Sequence, residues 1–418
     1  MSITIRSLIN QRSKLFCIVV AIIICSFPLS YAVNNIALYL LVPIFFLDSK
    51  ANITKKLKAL KTHKASVLFI AFFLVQCVGY FYSEDKEFAL RRIVVLLPLC
   101  LIPPIMFLES ITKKNVLKLL CFLKYSIVIT FIGLIISHVF ILQRTLNTFV
   151  HFTIEEQLGV SQFYIAFIVF LPILISLKSI LEQKQLILHT ILLCISVGVL
   201  FLLGNKTILF FLFASWIYFI TSLFLKRKQK NAYFLMIIGC VCLFAAMQTP
   251  ILKNRINVFI KTTDLNLETI ITKNKYTQTK NTFEHRLLIN YLALKEIGQS
   301  LPFGVGTGDF QSALKKQYKT INFKAALKGE LNNHNQYLSE FLKTGFLGGI
   351  LFLWLLFCLF KKIKTKYFFY PFILTFFSFA CVVESYLDRQ HGVVIFAVLI
   401  PFLYVLDKSL NTMAYKTN

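Results

Sequence analysis

The stretch NNHNQYLSEFLKTGFLGGILFLW, residues 332–354, passes from a cluster of amides around one histidine into an apolar run long enough to enter a bilayer. Its reading decides the fold, because a histidine at the mouth of a membrane helix has a meaning only once the compartment it faces is known. The rest of the chain points the same way. Of 418 residues 57% are hydrophobic, and 44 are phenylalanine. Soluble domains hold apolar and charged residues in closer balance, so an all-α polytopic membrane protein is expected.

A hydrocarbon core about 30 Å thick asks for roughly 17–25 apolar residues per helix. Apolar runs fall at 15–33, 36–47, 65–82, 88–107, 121–142, 161–177, 186–203, 207–224, 231–247, 338–360, 367–386 and 392–407, so about 12 transmembrane helices are expected. The first two share a stretch only just long enough to cross twice. The formal charge of +27 would suggest nucleic acid in a soluble protein; here its distribution carries the information, and no nucleic-acid partner is expected. Arg6, Arg12 and Lys14 precede the first run, and six lysines occupy 50–64 after the second. Further basic clusters follow the fourth (Lys113, Lys114, Lys118), sixth (Lys178, Lys184), eighth (KRKQK, 226–230) and tenth (KKIKTK, 361–366). Every second connection is basic, which by the positive-inside rule puts both termini in the cytoplasm. The first apolar run lacks a convincing small-residue cleavage site and leads straight into another, so it reads as a retained helix. All ten cysteines fall inside the runs, where they read as packing residues and not as a disulfide framework.

Only one connection is long, residues 248–337, and the alternation places it outside. The chain thus divides into helices 1–9 (1–247), a large outward loop with helical segments (248–337), and helices 10–12 with a cytoplasmic tail (338–418). Within the loop, EHRLLINYLALKEIG (284–298) has Leu287, Leu288, Tyr291, Leu292 and Leu294 at helical spacing. Arg286 and Asn290, four apart, share a more polar face, and Gly298 and Pro302 end the helix. The loop holds thirteen Lys and Arg against six Asp and Glu. Loops this long escape the positive-inside rule, so the excess either is solvated or meets an anionic substrate at the outer leaflet. PFGVGTGDF (302–310) has neither the spacing nor the βαβ setting of a nucleotide loop; a tight turn is expected, with exposed N–H groups as a weaker anion-binding option.

The run at 338–360 then descends from outside to inside. Its first turn presents unpaired N–H groups and the positive end of the helix dipole, with Asn332 or Asn333 as the expected cap. Histidine is the residue type best suited to take a proton near neutrality. His334 is therefore a candidate base, the alternative being a hydrogen-bonding role alone.

HNQYLSEFLKTGFLGG (334–349) resembles the membrane-entry motif of the O-antigen ligase and O-antigen polymerase superfamily: His-Asn, a hydrophobic helix start, then Thr-Gly and a later Gly. HRLLINYLALKEIGQSLPFGVGTGDF (285–310) resembles the arginine-bearing helix and glycine turn that precede it, and ESYLDRQHGVV (384–394) a C-terminal signature of some members. The resemblance implies a glycosyltransferase at the outer face of the bacterial cytoplasmic membrane, with no cofactor and no metal. The donor it implies is a glycan on undecaprenyl diphosphate. The acceptor is a sugar hydroxyl of lipid A–core for a ligase, or another lipid-linked repeat unit for a polymerase.

By that likeness His334 matches the catalytic base and Arg286 the arginine on the donor diphosphate. Lys206, in GNKTILFF, stands where relatives usually carry a second arginine, keeping the charge but losing the bidentate fork. Arg91 and Arg389, near outer span ends, are further candidates for the diphosphate, with Arg92 and His391 behind them. Asn333, Asn335 and Asn290 are candidates for positioning the acceptor, and Gln336 offers a further hydrogen bond. Arg389 has the alternative of pairing with Asp388 or Glu384. A flippase or exporter of lipid-linked glycans is the competing class, but it should show internal repeats and midplane charges, which this sequence lacks. The topology is testable by labelling intact cells with an impermeant thiol reagent. Lys275→Cys should react and Lys58→Cys should not; the reverse would turn His334 toward the cytoplasm.

Overall fold

The computed structural model describes residues 2–225, 227, 229–247, 261, 263–277 and 281–411. Among these residues every regular element is a helix. The chain begins with α1 (Ser2–Ser26) and α2 (Tyr31–Phe46), then bends by 113° into α3 (Lys50–Thr62). There follow α4 (Lys64–Tyr82), α5 (Lys86–Leu108), α6 (Lys113–Ile136), α7 (Gln162–Leu181), α8 (Leu186–Leu203), α9 (Lys206–Leu225) and α10 (Gln229–Met247). Eight helices among the described residues are long and apolar enough to cross a membrane, or nine if the bent pair α2–α3 forms one span. Asp48 and Ser49 end the α2 run, where Ser49 caps α3 by accepting from the Asn52 N–H at 3.3 Å. The lysine-rich α3 buries none of its residues.

The chain separates into two compact units. The second, Ser13–Leu40 with Ile111–Asn257, packs α6 to α10 with most of α1. Helix α7 is buried along nearly its whole length, which fits its continuous apolar sequence. Asn34 ties α2 to α1 by donating to the Ile23 carbonyl at 2.7 Å. Between α8 and α9 the left-handed Gly204 (φ +59°) closes one helix, and the Asn205 side chain accepts from Thr207 N–H at 2.9 Å to open the next. That hairpin presents Lys206, which is exposed, as the first residue of α9.

The first unit comprises Met1–Arg12, Leu41–Ser110 and Val258–Asn418. At one of its ends Arg12 and Lys56 sit 2.9 Å from Asp48, Lys56 lies 3.4 Å from Glu109, and Arg12 also bonds Glu109. These charges are nearly buried and balanced, which anchors α3 despite its polar composition. The later part of the unit adds α11 (Leu267–Thr277), α12 (Thr282–Ser300), α13 (Phe310–Thr320), α14 (Lys324–Lys328), α15 (Gln336–Phe360), α16 (Phe369–Ala380) and a last membrane-length helix, α17 (Gln390–Asn411). Helices α11 to α14 enclose a small core of Ile270, Leu288, Ile289, Leu292, Ile297, Phe310 and Leu314. The stripe expected on α12 is rotated: Leu288 and Leu292 are buried, whereas Tyr291 and Leu294 are 40% and 55% exposed. Ile289, Ala293 and Ile297 complete the buried face at i, i+4 and i+8, and the helix continues past Gly298 to Ser300.

A break interrupts α15. Thr344 (φ −129°, ψ 18°) and Gly345 (φ 62°, ψ −148°) interrupt the helical dihedrals, so nearby carbonyls lose their usual partners. The glycine turn at 302–308 supplies replacements. Val305 N–H donates to Leu342 O and Gly306 N–H to Lys343 O, each at 2.9 Å, while Phe346 N–H returns a bond to Pro302 O at 3.0 Å. The tight turn is therefore present, but these two N–H groups serve the break in the helix and are not available to an anion. Only glycine fits at 345, because a Cβ there would stand 1.9 Å from the Pro302 carbonyl oxygen.

Candidate functional site

Two irregular segments of the first unit meet around His334: residues 332–335, leading into α15, and residues 381–389, between α16 and α17. The cap of α15 is Asn335, whose side chain accepts from Leu338 N–H at 3.1 Å; this corrects the expectation of Asn332 or Asn333. Asn333 is fully buried, with its Oδ1 accepting from Ser339 at 2.6 Å and Ser385 at 2.9 Å and its Nδ2 donating to Asn335 O at 3.0 Å. It holds the segment in shape and presents no free amide. Asn335 N–H donates in turn to Ser385 Oγ at 3.1 Å, so the two segments are stitched at their centre.

His334 has a left-handed backbone, φ +45°. A non-glycine residue in that region costs on the order of 1–3 kcal/mol and persists only where its surroundings fix it. Here Asn332 Oδ1 accepts the His334 N–H at 3.2 Å, and Asn332 Nδ2 is itself held by Asp388 Oδ2 at 3.1 Å. The imidazole Nδ1 lies 3.2 Å from Glu384 Oε2. An ionised carboxylate only accepts, so this contact calls for a hydrogen on Nδ1, and in the neutral imidazole Nε2 then carries the lone pair. That lone pair makes no hydrogen bond among the described residues.

Arg286, on α12, reaches the same carboxylate oxygen, with Nη2 3.9 Å from Glu384 Oε2. Burial lowers the arginine's pKa while Glu384 and Tyr386 raise it, and a group that starts so far above neutrality stays charged. One turn on, the Asn290 side-chain oxygen is buried without a hydrogen-bond partner among the described residues. The structure thus brings His334 and Arg286 together through Glu384, with Asn290 on the arginine's helix.

Behind this pair lies a second layer. Asp388 is flanked by Lys343 Nζ at 2.5 Å and Arg92 Nη2 at 3.1 Å, and Arg92 also donates to Leu387 O at 2.8 Å and to the Asp388 carbonyl. Lys343 lies 3.8 Å from Glu340, which accepts from Gln76 at 2.6 Å and Gln336 at 2.5 Å. Gln336 Oε1 accepts Leu387 N–H at 2.7 Å, so this side chain is structural and not open to a sugar. Two cations and two carboxylates balance, with side chains 2–9% exposed. Burial alone would raise the Asp388 pKa; Lys343, Arg92 and the bonds from Lys343 and Asn332 overcome it and hold the carboxyl below its ordinary value.

Arg91 and Arg389 take no part in these contacts. Arg91 is exposed and pairs with the exposed Glu87 at 3.2 Å, a contact worth little. Arg389 is exposed and makes no ion pair among the described residues; the carboxylates considered for it are taken by Lys343 and Arg92 at Asp388 and by His334 and Arg286 at Glu384. His391 is buried at the start of α17. Lys206 belongs to the second unit. Among the described residues no three His, Cys, Asp or Glu side chains converge as a metal-binding set. Sequence reasoning missed Glu384, Glu340 and Lys343 as members of the site. Glu340 and Lys343, three apart in an apolar run, were the available signal, since ionisable residues inside a span seldom occur without a role.

Residues 191–353 match the family described as O-antigen ligase, which supports a place for this chain in the O-antigen ligase superfamily and an O-antigen ligase or polymerase type of function. The matched region includes Lys206, Arg286 and His334 and ends before Glu384 and Asp388. No curated protein matches the chain.

The buried charge layer makes a direct prediction. Lys343→Met leaves two buried carboxylates facing one guanidinium and should destabilise the protein by about 3–5 kcal/mol. Adding Glu340→Gln should restore much of that loss in thermal unfolding of the detergent-solubilised protein. Because the Asp388 pKa is depressed on folding, its contribution is complete above the unfolded carboxylate pKa and lost as pH falls through the folded value. A Lys343→Met protein as stable as the parent would show that the layer is not balanced as described.

Proposed function

We propose that this member of the O-antigen ligase superfamily transfers a glycan from undecaprenyl diphosphate to a sugar hydroxyl of lipid A–core at the outer face of the cytoplasmic membrane. The observation that carries the reading is the His334–Glu384 pair beside Arg286, with Nε2 of the imidazole unengaged among the described residues. The acceptor hydroxyl attacks the anomeric carbon as its proton passes to His334 Nε2. The new C–O bond forms while the bond from the anomeric carbon to the diphosphate oxygen breaks, and the electron pair leaves with the diphosphate. Arg286 meets the charge that develops there, a fixed cation being most effective where charge grows in the transition state. Glu384 stabilises the imidazolium that forms. Arg91 and Arg389 are kept as exposed basic groups that attract an anionic donor before it binds.

A repeat-unit polymerase is the second reading, because the family match covers ligase and polymerase types alike. The two differ only in the acceptor. In a deletion strain, core lacking all long-chain glycan indicates a ligase, and core bearing a single repeat indicates a polymerase. The chemistry is tested with His334→Ala, His334→Gln and Arg286→Ala in a detergent-solubilised transfer assay at matched expression. Removing a general base costs about 10²–10⁴-fold, and losing a charge-assisted contact to phosphate costs roughly ten- to a hundredfold. Both His334 variants should fall by the larger factor with the fold intact. A near-normal rate for His334→Gln would reduce the histidine to a hydrogen-bonding role and leave another group as the base.

A further inference from the structure

Building on the reading of Arg286 as a ligand of the donor diphosphate and His334 as the base, we propose that Glu384 is a positioning residue that couples them, so that donor binding strengthens the base. The observation is one oxygen shared by two nitrogen donors: Glu384 Oε2 lies 3.2 Å from His334 Nδ1 and 3.9 Å from Arg286 Nη2. Their side chains are 12%, 23% and 27% exposed, so the charges are partly withdrawn from water and only partly screened.

Without donor, the guanidinium acts on His334 in two ways. Its positive charge opposes a second positive charge on the imidazole, and it draws on the carboxylate that would stabilise that charge. A diphosphate at Arg286 supplies the arginine with a stronger counter-ion. Glu384 is then left to the Nδ1–H, and the imidazole becomes a better proton acceptor at Nε2 only when the leaving group is in place. Coupling between two equilibria is reciprocal. If an anion on Arg286 releases Glu384 to His334, then Glu384 must weaken anion binding at Arg286. That consequence is measurable without any transfer chemistry.

The test uses inorganic pyrophosphate as the probe on the full-length protein in detergent, with Glu384→Gln, Arg286→Ala and the double variant. Glu384→Gln should tighten pyrophosphate binding roughly two- to fivefold, the range a partly exposed ion pair supports. In the Arg286→Ala background the same change should have no effect. In the transfer assay Glu384→Gln should lower kcat on the order of tenfold or more with donor KM unchanged or reduced. Glu384→Asp keeps the charge on a shorter arm; it should bind pyrophosphate as the parent does yet lose kcat, which guards against a folding defect in the amide variant. A merely structural role would weaken binding and lower the unfolding temperature together.

Unchanged or weaker pyrophosphate binding by Glu384→Gln overturns the coupling, as does tightening that persists without Arg286, or a parental kcat. Those results leave the underlying reading standing. Arg286→Ala that binds pyrophosphate like the parent removes the diphosphate assignment itself and the coupling with it.

Discussion

Asp388 is a buried carboxylate held between Lys343 and Arg92, and the geometry around His334 depends on that balance. A carboxylate withdrawn from water is tolerable only with cations and hydrogen bonds around it, and here both cations come from helices. Lys343 lies on α15 and Arg92 on α5, so the irregular segment 381–389 is tied to two rigid elements at once. From Asp388 the constraint passes to Asn332 and from Asn332 to the backbone of His334, whose left-handed dihedral would not persist in a loose loop. Glu384, four residues before Asp388, is carried into place by the same segment and sets the imidazole tautomer. The strained residue is thus also the one proposed as the base.

The break in α15 is the second constraint. It lies one residue beyond Lys343, and the glycine turn mends the carbonyls that it exposes. The turn in turn is braced on α4: Tyr82 donates to Phe303 O at 2.8 Å and Thr307 Oγ1 to Gln76 O at 2.7 Å. Gln76 also supports Glu340, so one stretch of α4 steadies both the turn and the charge layer. This explains why the motif resembling the superfamily extends through Thr344 and Gly345, ten residues into an otherwise apolar helix.

Much of this was legible in the sequence. Apolar runs and basic clusters announce an all-helical membrane protein, and the amides beside His334 announce a special helix entry. The periodicity of 284–298 announces α12, although the buried face was read about one residue out of register because Tyr291 and Leu294 look as apolar as their neighbours while remaining exposed. What was not legible follows from distance along the chain. Glu384 lies fifty residues from His334, and Arg92 lies far upstream of Asp388, with nothing local to mark either partnership. Asn332 and Asn333 looked like caps because short polar residues before an apolar run usually are; the irregular backbone at His334 moves the cap to Asn335.

His334, Arg286 and Glu384 are proposed to form one site on which a diphosphate-linked glycan reacts. A structure of the full chain bound to an undecaprenyl-diphosphate glycan tests it most directly. A diphosphate oxygen is expected at charge-assisted hydrogen-bond distance, about 2.7–2.9 Å, from the Arg286 guanidinium. An anomeric carbon is expected to face the space before His334 Nε2, with Glu384 withdrawn from the arginine toward Nδ1. A diphosphate bound away from Arg286, or an anomeric carbon out of reach of any hydroxyl that His334 could deprotonate, would contradict it.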